Sequence, residues 1–187
     1  MEVSKKIFEK IKSLPTPSIV AVSGFGGSGK STYSNLLGAA LGAPVVSVDS
    51  FAKDRLDSGQ HRWESMDFKR LESEVLVPFI EGQNPIRHGH YDWAVNGIIK
   101  AMDVSHSGQI IVEGVGLFRL GLLKYFSYKI WMGVPLEEVT TRGKKRDREI
   151  YNNPHDEKWD GIWKQNDLEY FETYQPQEQA DLIVNNA

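Results

Sequence analysis

"SIVAVSGFGGSGKSTYSNLL", residues 18–37, runs from an apolar stretch through four glycines into a helical pattern. One glycine is enough for a turn. Gly24, Gly26, Gly27 and Gly29 within six positions instead suit a backbone that something must approach closely. Gly24-Phe25-Gly26-Gly27-Ser28-Gly29-Lys30-Ser31 fits the pattern G-x-x-x-x-G-K-[ST]. Glycines let N–H groups converge on an anion, and a helix N-terminus adds unpaired donors and the positive end of its dipole. The stretch is therefore expected to cradle phosphate with Gly24, Gly26, Gly27, Ser28, Gly29, Lys30, Ser31 and Thr32. Lys30 would reach the terminal phosphates, Ser31 a Mg²⁺ shell, and Thr32 the α-phosphate. The plain alternative is a glycine-rich turn with a solvated lysine.

Working outward, the pattern predicts strands at 19–22, 44–48, 109–114, 128–132 and 180–186. Helices are expected at 30–41, at 66–82 with Pro78 bending or ending it, at 135–150 opened by Pro135, and over 156–174. Strands alternating with helices, several of them apolar on both faces, imply an α/β fold with a parallel sheet covered on each side. No repeat, linker or low-complexity tract divides the chain, so a single domain is expected over 1–187. Val3, Ile7, Phe8, Ile11 and Leu14 recur at helical spacing, giving an amphipathic helix within 1–15. Packing on the domain and lying on a membrane surface are its two readings.

The chain has 187 residues and a formal charge of -3, without the basic excess that phosphate backbones demand of a nucleic-acid partner. It has no cysteine, which excludes disulfides, thiolate metal sites and cysteine nucleophiles and suits a cytoplasmic setting. The N-terminus lacks an apolar signal core. No run reaches the ~18 apolar residues of a membrane span; "IIVEGVGLFRLGLL" comes nearest, interrupted by Glu113 and Arg119. Neither a nucleic acid nor a membrane is expected as partner.

Phosphate cradles serve GTPases, motors and small-molecule kinases alike. The GTPase signatures D-x-x-G and N-K-x-D are absent. A kinase needs a carboxylate beside the acceptor hydroxyl, another near the metal, and a basic lid. Asp49 in "VVSVDSF" closes the second expected strand, where ligands of open parallel sheets gather, and would be the base; an N-cap for the following turn is the bland reading. Glu113 in "IIVEG" would hold a metal-bound water or orient Asp49, against a structural ion pair. Arg142 and Arg146, four apart in the lid expected over about 140–158, would neutralise charge on the transferring phosphoryl, against a solvated helix face.

"GGSGKST", "VDSF", "HYDW", "VEG", "RGKKRD" and "ADLIV" in this order resemble the uridine kinase family, in the wider group with phosphoribulokinase and nicotinamide riboside kinase. The resemblance covers most of the chain after residue 17, nearest the short bacterial members. It implies a P-loop nucleoside triphosphate hydrolase fold with a five-stranded parallel sheet. It also implies ATP and Mg²⁺ as cofactors and transfer to the 5′-hydroxyl of a ribonucleoside such as uridine or cytidine. By resemblance Asp49 is the base, Asp92 of the Y-D motif holds ribose hydroxyls beside Tyr91, and Arg146 is the lid arginine. A homo-oligomer is also in keeping with it. Three departures bear on the acceptor: Ala52 replaces an aromatic after D-S-F, "YDWAVNG" lacks a histidine, and "IYNN" stands where E-R-G-R is common.

His88 and His90 have the look of a metal pair but are expected to face solvent. Tyr91 and Trp93 would either stack on a base or pack a side hairpin against the core. Trp159 and Trp163 are expected in a buried helical stripe. Arg62 and Trp63 are candidates for an acceptor loop by position alone. The sequence thus reads as a kinase of a small hydroxyl compound, nucleosides first. Nicotinamide riboside, pantothenate or a sugar are other acceptors, and a nucleotide-binding regulator without transfer is the reading from another class.

Overall fold

The computed structural model describes residues 2–53 and 65–186; Arg62 and Trp63 lie outside them. Strands β1 (Ser18–Gly24), β2 (Val45–Ser47), β5 (Gln109–Glu113), β6 (Tyr128–Met132) and β7 (Leu182–Val184) form one sheet in the order β2-β5-β1-β6-β7. Every pairing in it is parallel. This is the five-stranded parallel sheet expected from the sequence. β1 lies at its centre and is buried throughout, which is why its run of apolar residues does not alternate with polar ones.

Period-two alternation divides β1 between two cores. Ile19 and Ala21 face a large cluster with Val112, Phe51, Trp131 and Tyr170, whereas Val20 and Val22 face a smaller one with Leu37, Ile111 and Ile130. Helix α1 (Lys5–Lys12) covers the second cluster through fully buried Ile11, with Val3, Ile7 and Leu14 packed around it. Phe8 stands apart from that cluster and lies under the Lys12 ammonium at 5.4 Å.

Several boundaries differ from expectation. The helix foreseen at 66–82 is helical without a break over 68–80, as α3 (Phe68–Leu71), a π-helical turn (Glu72–Leu76) and α4 (Val77–Ile80), which contains Pro78. The π-helical turn just before Pro78 shifts the hydrogen-bond ladder where the ring offers no donor. The helix over 156–174 breaks at Gly161 into α7 (Asp156–Asp160) and α8 (Ile162–Tyr174). The second strand ends at Ser47, and Val48–Phe51 form a 3-10 turn capped by the Ser47 hydroxyl, so Asp49 sits in that turn. An antiparallel hairpin, β3 (Ile86–Asp92) and β4 (Gly97–Val104), stands outside the main sheet. Helices α2 (Lys30–Leu41), α5 (Leu120–Leu123), α6 (Leu136–Glu149) and α9 (Pro176–Gln179) complete the described fold.

Candidate active site

The cradle forms where β1 turns into α2. Gly27 at φ +81° and Gly29 at +89° occupy backbone space that L side chains rarely adopt. Gly29 is the N-cap of α2, and the first turn of that helix leaves the amides of Lys30, Ser31 and Thr32 without intrahelical acceptors. Phe25 anchors the loop from below, its ring edge-on to Trp131 at 5.4 Å and tilted against Phe171 at 5.4 Å. The residues between the motif's fixed glycines thus include one core side chain, and packing holds the loop in register.

Lys30 is 7% exposed, and its Nζ donates to the Phe25 carbonyl at 2.8 Å. Burial pushes the amine down, opposed by the charges of Glu113, Asp167 and Asp49. Glu113 shows the mirror image. Burial pushes its carboxyl up, opposed by Lys30 and by hydroxyls of Ser47 and Ser31. Ser31 Oγ donates to Glu113 Oε1 at 3.2 Å, and parallel pairing explains the meeting, since Glu113 lies beside Val22 on β1 and Ser47 on β2. Thr32 is exposed beside Ser31 on α2.

Asp49 is exposed, with its N–H held by Ser47 Oγ at 3.3 Å. Its charge is near enough to act on both Lys30 and Glu113. The cap of the turn is Ser47, and Asp49 is left free of that duty. Two neighbours brace the turn: His90 Nδ1 lies 3.1 Å from Ser50 Oγ, and the Arg70 guanidinium donates to the Ser50 carbonyl. His88 is buried, with its ring 5.1 Å from that of Phe51. The expectation of solvent-facing histidines fails because the hairpin folds back onto the turn. No cluster of three metal-binding side chains occurs among the described residues.

Helix α6 lies directly on the cradle. A Cβ on Gly27 would come within 2.6 Å of the Val139 carbonyl, and one on Gly143 within 2.3 Å of the Trp159 ring. Trp159 packs over Gly26 and donates through Nε1 to Asp147 at 2.8 Å. Arg146 donates to the same carboxylate at 2.9 Å. Burial would raise the Asp147 pKa, but the Trp159 and Arg146 hydrogen bonds prevail and hold it below its ordinary value. So pinned, Arg146 still places positive charge near Lys30. Arg142 pairs with Glu138 one turn back, and its described contacts do not reach the cradle.

Asp167 on α8 is the residue that sequence reasoning missed. It is 5% exposed, and its Oδ2 accepts the Gly26 N–H at 2.9 Å. Burial lifts its pKa to about 6, against the pull of that N–H and of Lys30. A signal was available: Asp167 falls four after Trp163 and three before Tyr170, on the apolar stripe of its helix.

On the hairpin, the Tyr91 ring is buried and its hydroxyl donates to Asn96. Asp92 Oδ1 accepts the N–H groups of Ala94 at 2.7 Å and Val95 at 3.4 Å, forming the hairpin turn. The structure thus gathers Lys30, Ser31, Asp49, Glu113 and Arg146 around one loop, while Tyr91 and Asp92 make hydrogen bonds within the hairpin.

No family model and no curated relative matches the sequence. Among solved structures, a possible uridine kinase from Bacillus stearothermophilus superposes with a TM-score of 0.72 at 19% identity, over 96% of each chain. A candidate fructose transport system kinase from Silicibacter sp. TM1040 gives 0.74 at 22% identity, over 95% of each chain. At such identities the likeness establishes architecture, and with the sheet order and the loop between β1 and α2 it leads to one conclusion. The chain has a P-loop fold built on a five-stranded parallel sheet.

Proposed function

We propose that this chain is a Mg²⁺–ATP-dependent kinase that phosphorylates a ribosyl or polyol hydroxyl of a small metabolite. One observation carries the reading. The buried Lys30 lies in the fields of three carboxylates, of which Asp49 alone is exposed and free to meet an acceptor. The solved kinases of the same fold support it.

The groups present suit a triphosphate and a hard cation. Glycines with positive φ and the open first turn of α2 offer amides, and Ser31 with Glu113 offers oxygen donors of the kind Mg²⁺ prefers. When bound, Mg²⁺ would neutralise charge on the phosphate oxygens. Lys30 and the amides hold the γ-phosphoryl in line with the acceptor. Asp49 takes the hydroxyl proton as that oxygen bonds to phosphorus and the bridging oxygen leaves with ADP. Arg146, kept in one orientation by Asp147, stabilises the charge that spreads in the transition state.

Asp49→Asn tests the assignment. Turnover should fall ~10²-fold or more while ATP affinity stays close to that of the parent, measured by coupled ADP release and by nucleotide titration. A parallel loss of ATP binding would make Asp49 a structural residue. Nucleotide binding without transfer to any acceptor would favour the regulatory reading instead.

A further inference from the structure

Beyond the turn that carries Asp49 lies a cavity of about 610 Å³ whose wall includes Ala52, Lys53, Asp67, Arg70, Tyr91 and Ile98. Its wall is mixed. Ala52 offers a methyl group, and the buried Tyr91 ring has its hydroxyl taken by Asn96. Lys53, Asp67 and Arg70 bring charge, and their commitments differ.

Asp67 is spoken for, because its Oδ1 caps α3 by accepting the Arg70 N–H at 2.9 Å. Lys53 has no ion pair or side-chain hydrogen bond among the described residues. Arg70 is largely buried and held at three points: the Ser50 carbonyl, the Phe51 ring at 4.9 Å, and Glu74 at 3.7 Å from Nε. Even so, its Nε is a buried donor without a hydrogen-bond acceptor. That N–H is closed off from the cavity and has the Glu74 carboxylate as its described counter-charge, so a ligand meets the rest of the guanidinium.

We propose that the acceptor carries an anionic group, a phosphate monoester or a carboxylate, seated between Lys53 and Arg70 while its hydroxyl meets Asp49. The inference rests on the kinase reading above and narrows its substrate class. A guanidinium already fixed in place loses little freedom when it takes an oxyanion, and the Lys53 ammonium adds a point charge on a flexible stem. Arg70 also grips the carbonyl of Ser50, the neighbour of Asp49. The anion and the base are therefore referred to the same turn, which fixes the span between the acceptor's charged end and its reacting hydroxyl. A free nucleoside lacks the charged end.

The test offers the full chain with Mg²⁺–ATP matched acceptors that differ in the anionic group: ribose and ribose 5-phosphate, pantothenol and pantothenate, with uridine as a neutral nucleoside. We expect the charged member to be preferred at least about tenfold in kcat/KM, Lys53→Met to erase about that preference, and Lys53→Arg to keep it. A preference for neutral members, or one that Lys53→Met leaves unchanged, overturns the inference while the kinase reading stands. Transfer to no acceptor overturns the kinase reading, and the anion site is then judged by binding alone. For this, ribose 5-phosphate is titrated by ligand-observed NMR with the cradle filled by Mg²⁺–ADP. Binding abolished by Lys53→Met upholds the site. No binding, or binding the variant retains, overturns it.

Discussion

Asp167 sets a carboxylate against a phosphate cradle, and its position has a measurable consequence. Its pKa rises from the ordinary 3.8 to about 6 on folding, chiefly through burial. The folded chain then keeps a proton that the unfolded chain releases as pH climbs from 3.8 to 6. Stability is therefore lost across that window, and above it the folded state bears a penalty on the order of 3 kcal/mol. Asp167→Asn removes the charge and keeps an oxygen for the Gly26 N–H. Its thermal midpoint should exceed that of the parent at about pH 8, with the difference vanishing toward about pH 4. A variant less stable than the parent at both pH values would show that the ionised carboxylate, through Lys30, holds the cradle together.

At the scale of elements, the joint between α6, α7 and the loop decides whether α6 stays seated on the cradle. Trp159 fills the space left by two glycines, Gly26 in the cradle and Gly143 in α6, and its indole N–H ties it to Asp147. Gly143→Ala would drive a methyl group into that ring, since the nearest ring carbon lies 2.3 Å from the Cβ position. Overpacking of this kind costs about 1–3 kcal/mol. We expect that loss in chemical denaturation, together with faster proteolytic cleavage between α6 and α7. An unchanged cleavage pattern would mean that Trp159 does not clamp α6 to the loop.

Across the whole molecule, the phosphate loop is supported by the larger core. Trp131 on β6 touches Phe25 from the loop, Phe118 after β5, and Tyr170 and Phe171 from α8. Trp131→Ala should cost about 3–5 kcal/mol. It should also weaken ATP binding, because the anchor of the loop loses its partner. Equilibrium unfolding and nucleotide titration read the two effects separately. An intact affinity in a destabilised protein would assign loop rigidity to the glycines and α2 alone.

How far residues 18–37 could be read turns on the range of the forces involved. The glycine loop, its lysine and the parallel sheet follow from local geometry and from apolar runs, so the order of residues alone specified them. The 3-10 turn around Asp49 was not legible, because Ser47 competes for the cap and the hairpin braces the turn from 40 residues away, His90 against Ser50. Asp92 adds a second case, since its Oδ1 accepts the backbone N–H groups two and three residues on, a contact its motif alone does not reveal. Asp167 meets Gly26 across 141 positions, and the basic cavity joins Lys53 and Arg70 to the hairpin. Sequence by itself determined the phosphate loop and the architecture, because both arise from neighbouring residues and from burial periodicity. Tertiary structure alone decided which charges share a desolvated space, because burial and pairing across the fold set their energies.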